Sequence, residues 1–304
     1  MKKGQHTVPR CYLANFADKD GFVWVLDTKD KIFRIKPENI LIENNFYTIT
    51  LKSGEKSLIV EDSLSDIEGL YAEIFKNKIE KNIPLADQER AVVSVFIGAL
   101  YLRTRPQREG IRKMLQNLEK DMEEWKKQFE SLTQEQRDLA SVVILRDKSQ
   151  AISLTEVKEY IDDFENNYPR AMMRSLSRVA QIIFDMKWAI FFNNDGLFVT
   201  SDDPITLLRP ASIKKFGPNA IGSIPGLMYK DVELTLPLSR NRLLIAGWIL
   251  EQNSYLSMNN NLAKLIDHRT ITNSSERIIA DSEAKVISIR DLYTETAYKQ
   301  NKSV

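Results

Sequence analysis

The chain has 304 residues, with 43 lysines and arginines against 42 aspartates and glutamates, 43% hydrophobic residues and 28% charged residues. This composition excludes a disordered or collagen-like chain, and the near-zero balance offers no global field to nucleic acid or an anionic membrane, so any such contact needs a local patch. With 11 glycines and 10 prolines the chain is poor in turn formers, which favours helices over a sandwich of many short strands.

The opening, Gln5-His6-Thr7-Val8-Pro9-Arg10-Cys11-Tyr12-Leu13-Ala14-Asn15-Phe16, reads as a short helix with Pro9 in its first position. Val8, Tyr12 and Phe16 recur at a helical interval, giving it an apolar face. No apolar stretch follows Met1, so a signal peptide is not expected. The nearly uncharged run Ala91 to Leu102 is too short to span a bilayer, which takes about 20 residues. The expected location is the cytoplasm, away from membranes. Alternating segments at 22–26, 32–35 and 45–49, separated by turn residues, predict a small antiparallel sheet in the first sixty residues.

From Asp62 the apolar period becomes helical, with helices expected near 63–81, 87–104, 107–130, 134–146 and 154–166. Thr133 to Gln136 and Ser153 to Glu156 each fit a capping box. Between 103 and 130 eight basic and six acidic residues are mixed, the mark of a solvated helix face. A further helix is expected over 169–186, beginning at Pro169. The period then drops to two, and Asn194-Asp195-Gly196 predicts a hairpin joining 188–192 to 197–200. Strands near 229–236 and 242–249 should join the same sheet. Arg209 to Gly226, with three prolines and three glycines, reads as a long functional or disordered loop. The expected fold class is α+β. One compact unit over 1–304 is expected, with a β-rich region at 1–60, a helical region at 61–187 and an antiparallel β region with a terminal helix at 188–304.

Three clusters could carry chemistry. Gln5 and His6 precede a helix N-terminus, where anions bind and a nearby imidazole is biased toward its neutral, general-base form; a polar residue of a flexible terminus is the alternative. Glu68 lies in line with Leu64, Tyr71 and Phe75, and Arg103 in line with Val92, Phe96 and Ala99. A charge within an apolar stripe calls for a partner. Counted from Pro84, Glu68 is sixteen residues back and Arg103 nineteen forward. In an antiparallel hairpin that places them within about 5 Å in height, so they are expected to pair. A structural ion pair, or a capping box from Ser65 to Glu68, would also account for these residues. The third cluster is Ser201-Asp202-Asp203-Pro204, whose carboxylates could bind a metal, activate water or orient a histidine; an Asx turn ending an edge strand would use the same residues.

Glycine-rich phosphate loops, a Gly-x-Ser-x-Gly elbow and a His-Glu-x-x-His motif do not occur. His6 and His268 are the only histidines, so a histidine-rich metal site is excluded. Cys11 is the single cysteine. It rules out an intrachain disulfide and reads as a packing residue of the first helix.

The sequence Gln5-His6-x-Val8-Pro9-x-x-Tyr12-Leu13-x-x-Phe16 resembles the opening of an uncharacterised, mainly bacterial family, domain of unknown function 4238. Asn45-Phe46-Tyr47, Ile67-Glu68-Gly69, Arg103-Thr104, Ser201-Asp202-x-Pro204 and Pro237-Leu238-Ser239 resemble that family in the same order. The resemblance implies a site formed by Gln5, His6, Glu68, Arg103 and Asp202. The family often has Asn where Asp203 stands, and tends toward Arg-Thr-Pro where Arg105 intervenes here.

These readings combine into a hydrolase of phosphodiester or nucleotide substrates, a nuclease of bacterial defence being one form of it. His6 would act as base or acid, Arg103 with Gln5 and Ser201 would bind substrate, Glu68 would orient Arg103, and Asp202 would activate water or hold Mg²⁺. The alternative is a non-enzymatic sensor or interaction module built on a buried polar or anion-binding network. The partner would be nucleic acid or a nucleotide in the first case, and a protein partner stays open. The segment 205–242 carries six basic and two acidic residues, a local excess that suits either.

Overall fold

The computed structural model describes residues 4–137, 152–196, 198–209, 226–250 and 254–301. Most of the helix expected at 134–146 and of the loop from Arg209 to Gly226 lies outside them. The described chain is α+β, with a strand-rich start, a helical middle and a C-terminal sheet.

In chain order the first elements are β1 (Gly4–His6), α1 (Arg10–Ala14), β2 (Val23–Asp27), β3 (Ile32–Ile35), β4 (Ile42–Asn44), β5 (Ile49–Thr50) and β6 (Lys56–Ser57). Three expectations change here. Gln5 and His6 lie in a strand, β1, paired antiparallel with β4 so that His6 faces Ile42. Pro9 caps α1 from outside, its extended backbone (ψ 137°) delaying the first helical residue to Arg10. Of the strand expected over 45–49 only Ile49 lies in one, β5, and the residues before it form a turn. Asn45 takes a left-handed φ of 56°, and its carbonyl accepts from the Thr48 amide at 3.2 Å.

The helical layer consists of α2 (Ile59–Ile74), extended by a wider turn over Phe75–Ile79, then α3 (Asp87–Arg103), α4 (Arg105–Ser131), α5 (Leu154–Asp162) and α6 (Phe164–Asp185). The Ser153 box caps α5, with Ser153 Oγ accepting from the Glu156 amide at 3.2 Å and Glu156 accepting from the Ser153 amide at 2.7 Å. The break before α6 falls at Asp163, six residues earlier than Pro169 would place it. Pro169 sits inside α6, where it cannot donate to the carbonyl one turn back. Although α4 is charged along most of its length, its first turns are not free: Arg108 is buried, donates to the Phe46 carbonyl at 3.0 Å and pairs with Glu165.

The remaining elements are β7 (Lys187–Phe192), β8 (Thr200–Ser201), β9 (Thr206–Leu208), β10 (Glu233–Ser239), β11 (Arg242–Gly247), β12 (Ser254–Ser257), α7 (Asn260–Asn273), β13 (Arg277–Ala280) and α8 (Glu283–Asn301). They build a five-stranded sheet in the order β12-β7-β11-β10-β9 and contribute to a four-stranded one in the order β3-β2-β13-β8. The hairpin predicted at Asn194-Asp195-Gly196 does not form. The chain turns there, with Gly196 at φ 63°, but β7 pairs with β11 and β12 while β8 crosses to β13 in the other sheet.

The largest apolar cluster includes Tyr12, Val25, Tyr71, Phe96, Trp188 and Leu236. Helix α1 is its hinge pin. Tyr12 Oη donates to the Pro237 carbonyl at 2.6 Å and lies 2.8 Å from Thr200 Oγ1, so a five-residue helix ties β10 to β8.

Candidate functional site

Strand β1 alternates its side chains between two jobs, as a strand must. Gln5 is fully buried, its Oε1 accepting from the Tyr47 amide at 2.5 Å and its Nε2 donating to Thr48 Oγ1 at 3.2 Å. Both ends of its amide are thereby committed to holding the 45–48 turn. His6 points the other way. Its ring has the backbone of Pro37 as a hydrogen-bond partner, and Glu68, Arg103 and Arg10 act on it electrostatically. Proline has no N–H, so the ring must donate to the Pro37 carbonyl. Nε2 is buried and without a partner, which leaves Nδ1 as the donor and Nε2 as a lone-pair acceptor. Burial first, and then the cation of Arg103, hold the His6 pKa below its ordinary value, against the opposing charge of Glu68. The imidazole is neutral because it is desolvated, and no helix end is needed to make it so.

Glu68 and Arg103 meet across the α2–α3 hairpin, Arg103 Nη1 donating to Glu68 Oε1 at 2.8 Å. The pair is asymmetric: Glu68 keeps 23% of its side chain exposed, while Arg103 keeps 2%. Arg103 Nε and Nη2 have no partner. Each buried donor left so costs about 1–3 kcal/mol, and a guanidinium in this state is primed to take an acceptor. Tyr47 holds the two backbones together, since its hydroxyl lies 3.3 Å from both the His6 and Arg103 carbonyls. Cys11 is half-buried within the fields of Glu68 and Arg103, and burial pushes its thiol up to about 12, which disqualifies it as a nucleophile.

The Ser201-Asp202-Asp203 step makes a set of contacts of its own. Asp202 Oδ1 accepts from the amides of Ser275, Glu276 and Arg277, each at 3.1 Å, and Oδ2 accepts from Glu276 at 3.1 Å. Its carboxylate thus caps the chain entering β13. Ser201 is fully buried and its Oγ accepts from the Asp203 amide at 3.2 Å. Asp203 reaches back toward the helical layer, accepting from Thr104 Oγ1 at 3.3 Å. Beside them is a small cleft of about 70 Å³ lined by Thr7, Glu43, Arg105, Asp202, Glu276 and Arg277. Arg105 bridges this cleft, 2.7 Å from Glu276 and 3.7 Å from Glu43.

The structure therefore gathers His6, Glu68 and Arg103, places Gln5 behind them as a strut, and sends Ser201 and Asp202 into a neighbouring backbone network. The two groups are adjacent in the chain, through His6-Thr7 on one side and Arg103-Thr104 on the other. The Asp202 oxygens both accept from backbone amides, Oδ1 from three and Oδ2 from one. Among the described residues no group of three or more His, Cys, Asp or Glu side chains could hold a metal ion. The sequence does not reveal this role of Tyr47, because its pattern over 45–49 predicts a strand, and a strand residue gives no hint of a hydroxyl bridge between distant carbonyls.

A family model described as a protein of unknown function, DUF4238, matches residues 4–284. The chain belongs to that family. The DUF4238 match takes in both groups of residues, from Gln5 in β1 to Arg277 in β13. No curated protein and no solved structure matches the chain. No helix among the described residues is long and apolar enough to cross a membrane.

Proposed function

We propose that this DUF4238 protein binds a small oxyanion at the cluster of His6, Glu68 and Arg103 and acts there as a hydrolase of phosphodiester or nucleotide substrates. The observation that carries the reading is Arg103: a buried guanidinium with one nitrogen held by Glu68 and two without an acceptor. Such an edge favours carboxylate or phosphoryl oxygens, which it can take in pairs. A neutral His6 with a free Nε2 suits proton transfer at neutral pH. Water would give its proton to Nε2 as its oxygen attacks phosphorus. The imidazolium would then return that proton to the leaving oxygen as the ester bond breaks, with Glu68 stabilising the cation between the two steps. Asp202 has no part in this scheme.

One observation favours a second reading, an anion sensor without turnover. The Asp202 carboxylate, the second acid of the expected site, accepts from three backbone amides and so already serves the chain entering β13. The test is release of inorganic phosphate and cleavage of oligonucleotides by the full chain, compared with His6→Ala. For the hydrolase, turnover should fall about 10²–10⁴-fold while circular dichroism and Tm stay as in the parent. Saturable binding of inorganic phosphate or nucleotides without any product supports the sensor. If neither binding nor turnover is seen, both readings fail and the cluster is structural.

A further inference from the structure

We infer that the group taken by this site is a terminal phosphate monoester, bound end-on, rather than an internal phosphodiester. The inference rests on the anion-binding reading above and narrows its substrates to the nucleotide side, setting the internal diester aside.

Three polar atoms in the cluster are buried and lack partners: Arg103 Nε, Arg103 Nη2 and His6 Nε2. The first two are donors on one edge of the guanidinium and call for two acceptor oxygens. The third is an acceptor, because the ring's proton is committed to Pro37. It calls for a donor. A phosphate monoester supplies this set, since it carries three free oxygens and its second pKa of about 6 leaves a fraction singly protonated near neutral pH. Two oxygens can accept from Arg103 while the third presents its hydroxyl to His6. An internal diester has two free oxygens and no proton to offer at that pH. It could satisfy Arg103, but the donor to His6 would then have to come from a separate water and not from the ligand.

Enclosure points the same way. Arg103 is 1% exposed and its neighbour Tyr47 is fully buried, whereas Glu68, His6 and Cys11 are the partly exposed members of the cluster. A group bound to Arg103 has protein behind it and solvent on the side of Glu68. One ester substituent can lead out on that side.

The experiment is titration calorimetry on the full chain with thymidine dinucleotides that differ only in a 5′-phosphate, alongside inorganic phosphate. The phosphorylated form should bind about tenfold tighter or better, the worth of one added hydrogen bond to a charged group. Inorganic phosphate should compete with it, and the preference should vanish in His6→Ala. Arg103→Lys is the second variant, and His6→Gln replaces it as a probe if the lysine form does not fold. Equal affinity for both dinucleotides overturns the monoester inference and leaves the anion-binding reading standing. A preference that survives in the folded His6 variants also overturns it, because the monoester is then bound elsewhere. No binding of either dinucleotide or of inorganic phosphate removes the anion-binding reading itself.

Discussion

Asp202 and Asp203 are neighbours in opposite electrostatic circumstances. Asp202 is compensated by three backbone amides, whereas Asp203, half-buried beside it, has the Thr104 hydroxyl and the Asn273 side chain as its partners. Burial, and then the charge of Asp202, push Asp203 up to about 7 from an ordinary 3.8. Across that window the folded state holds a proton that the unfolded chain has released, so this group's contribution to stability falls as the pH rises and is least favourable above about 7. Asp203→Asn should therefore raise Tm by several degrees at pH 8, with the gain shrinking toward pH 4. Thermal scans of both proteins at the two pH values decide it: a gain of equal size at both would mean that the Asp203 carboxyl is ionised throughout. His6 contributes in the opposite sense. Its depressed folded pKa gives stability that is present above 6.5 and lost as the pH falls below it. Little of this was legible in the sequence. Two acids before a proline announce a special position, but which one is capped and which one is desolvated depends on a chain segment seventy residues away.

At the scale of elements, periodicity carried the helical layer well. The stripes on α2 and α3 and the short link between them were enough to predict the Glu68–Arg103 contact, because helix rise converts residue count directly into height. Sheets were harder, since alternation identifies a strand but not its partner. That is why β7 and β8, expected to pair with each other, lie in different sheets. The 45–48 turn shows the same limit. Phe46, Tyr47 and Ile49 are good strand formers, yet Asn45 takes φ 56°, and Gln5 and the Asn45 carbonyl hold the following amides. Asn tolerates the left-handed region better than other residues with a Cβ. Asn45→Val should cost about 1–2 kcal/mol in urea denaturation, while Asn45→Gly should be close to neutral. Because the turn positions Tyr47, the valine variant should also weaken any binding of inorganic phosphate. If both variants match the parent, the left-handed conformation at Asn45 is not what shapes the turn.

For the whole molecule, the question is whether the N-terminal strands, the helices and the C-terminal sheets fold as one. Their polar and apolar contacts interleave. β2 of the first region pairs with β13 of the last. Tyr12 anchors α1 to β8 and β10, and Arg242 in β11 donates to the Ile79 and Glu80 carbonyls beyond α2. Residues from all three regions share one apolar cluster. Removing any region would expose the cluster and strand the partners of these bonds, so none has a complete core of its own. We therefore expect a single cooperative unfolding transition, despite a length at which intermediates become common. Variants retaining only Trp24, in β2, or only Trp188, in β7, report on the two sheets separately, and far-UV circular dichroism reports on the helices. All three signals should share one urea midpoint. Distinct midpoints for Trp24 and Trp188 would mean that the sheets unfold independently, and the His6–Glu68–Arg103 cluster would then have to be assigned to whichever unit carries α2 and α3. With coincident midpoints, a substitution in either sheet that lowers global stability would also lower occupancy of the cluster near the transition, because a ligand bound only to the folded state shares its equilibrium.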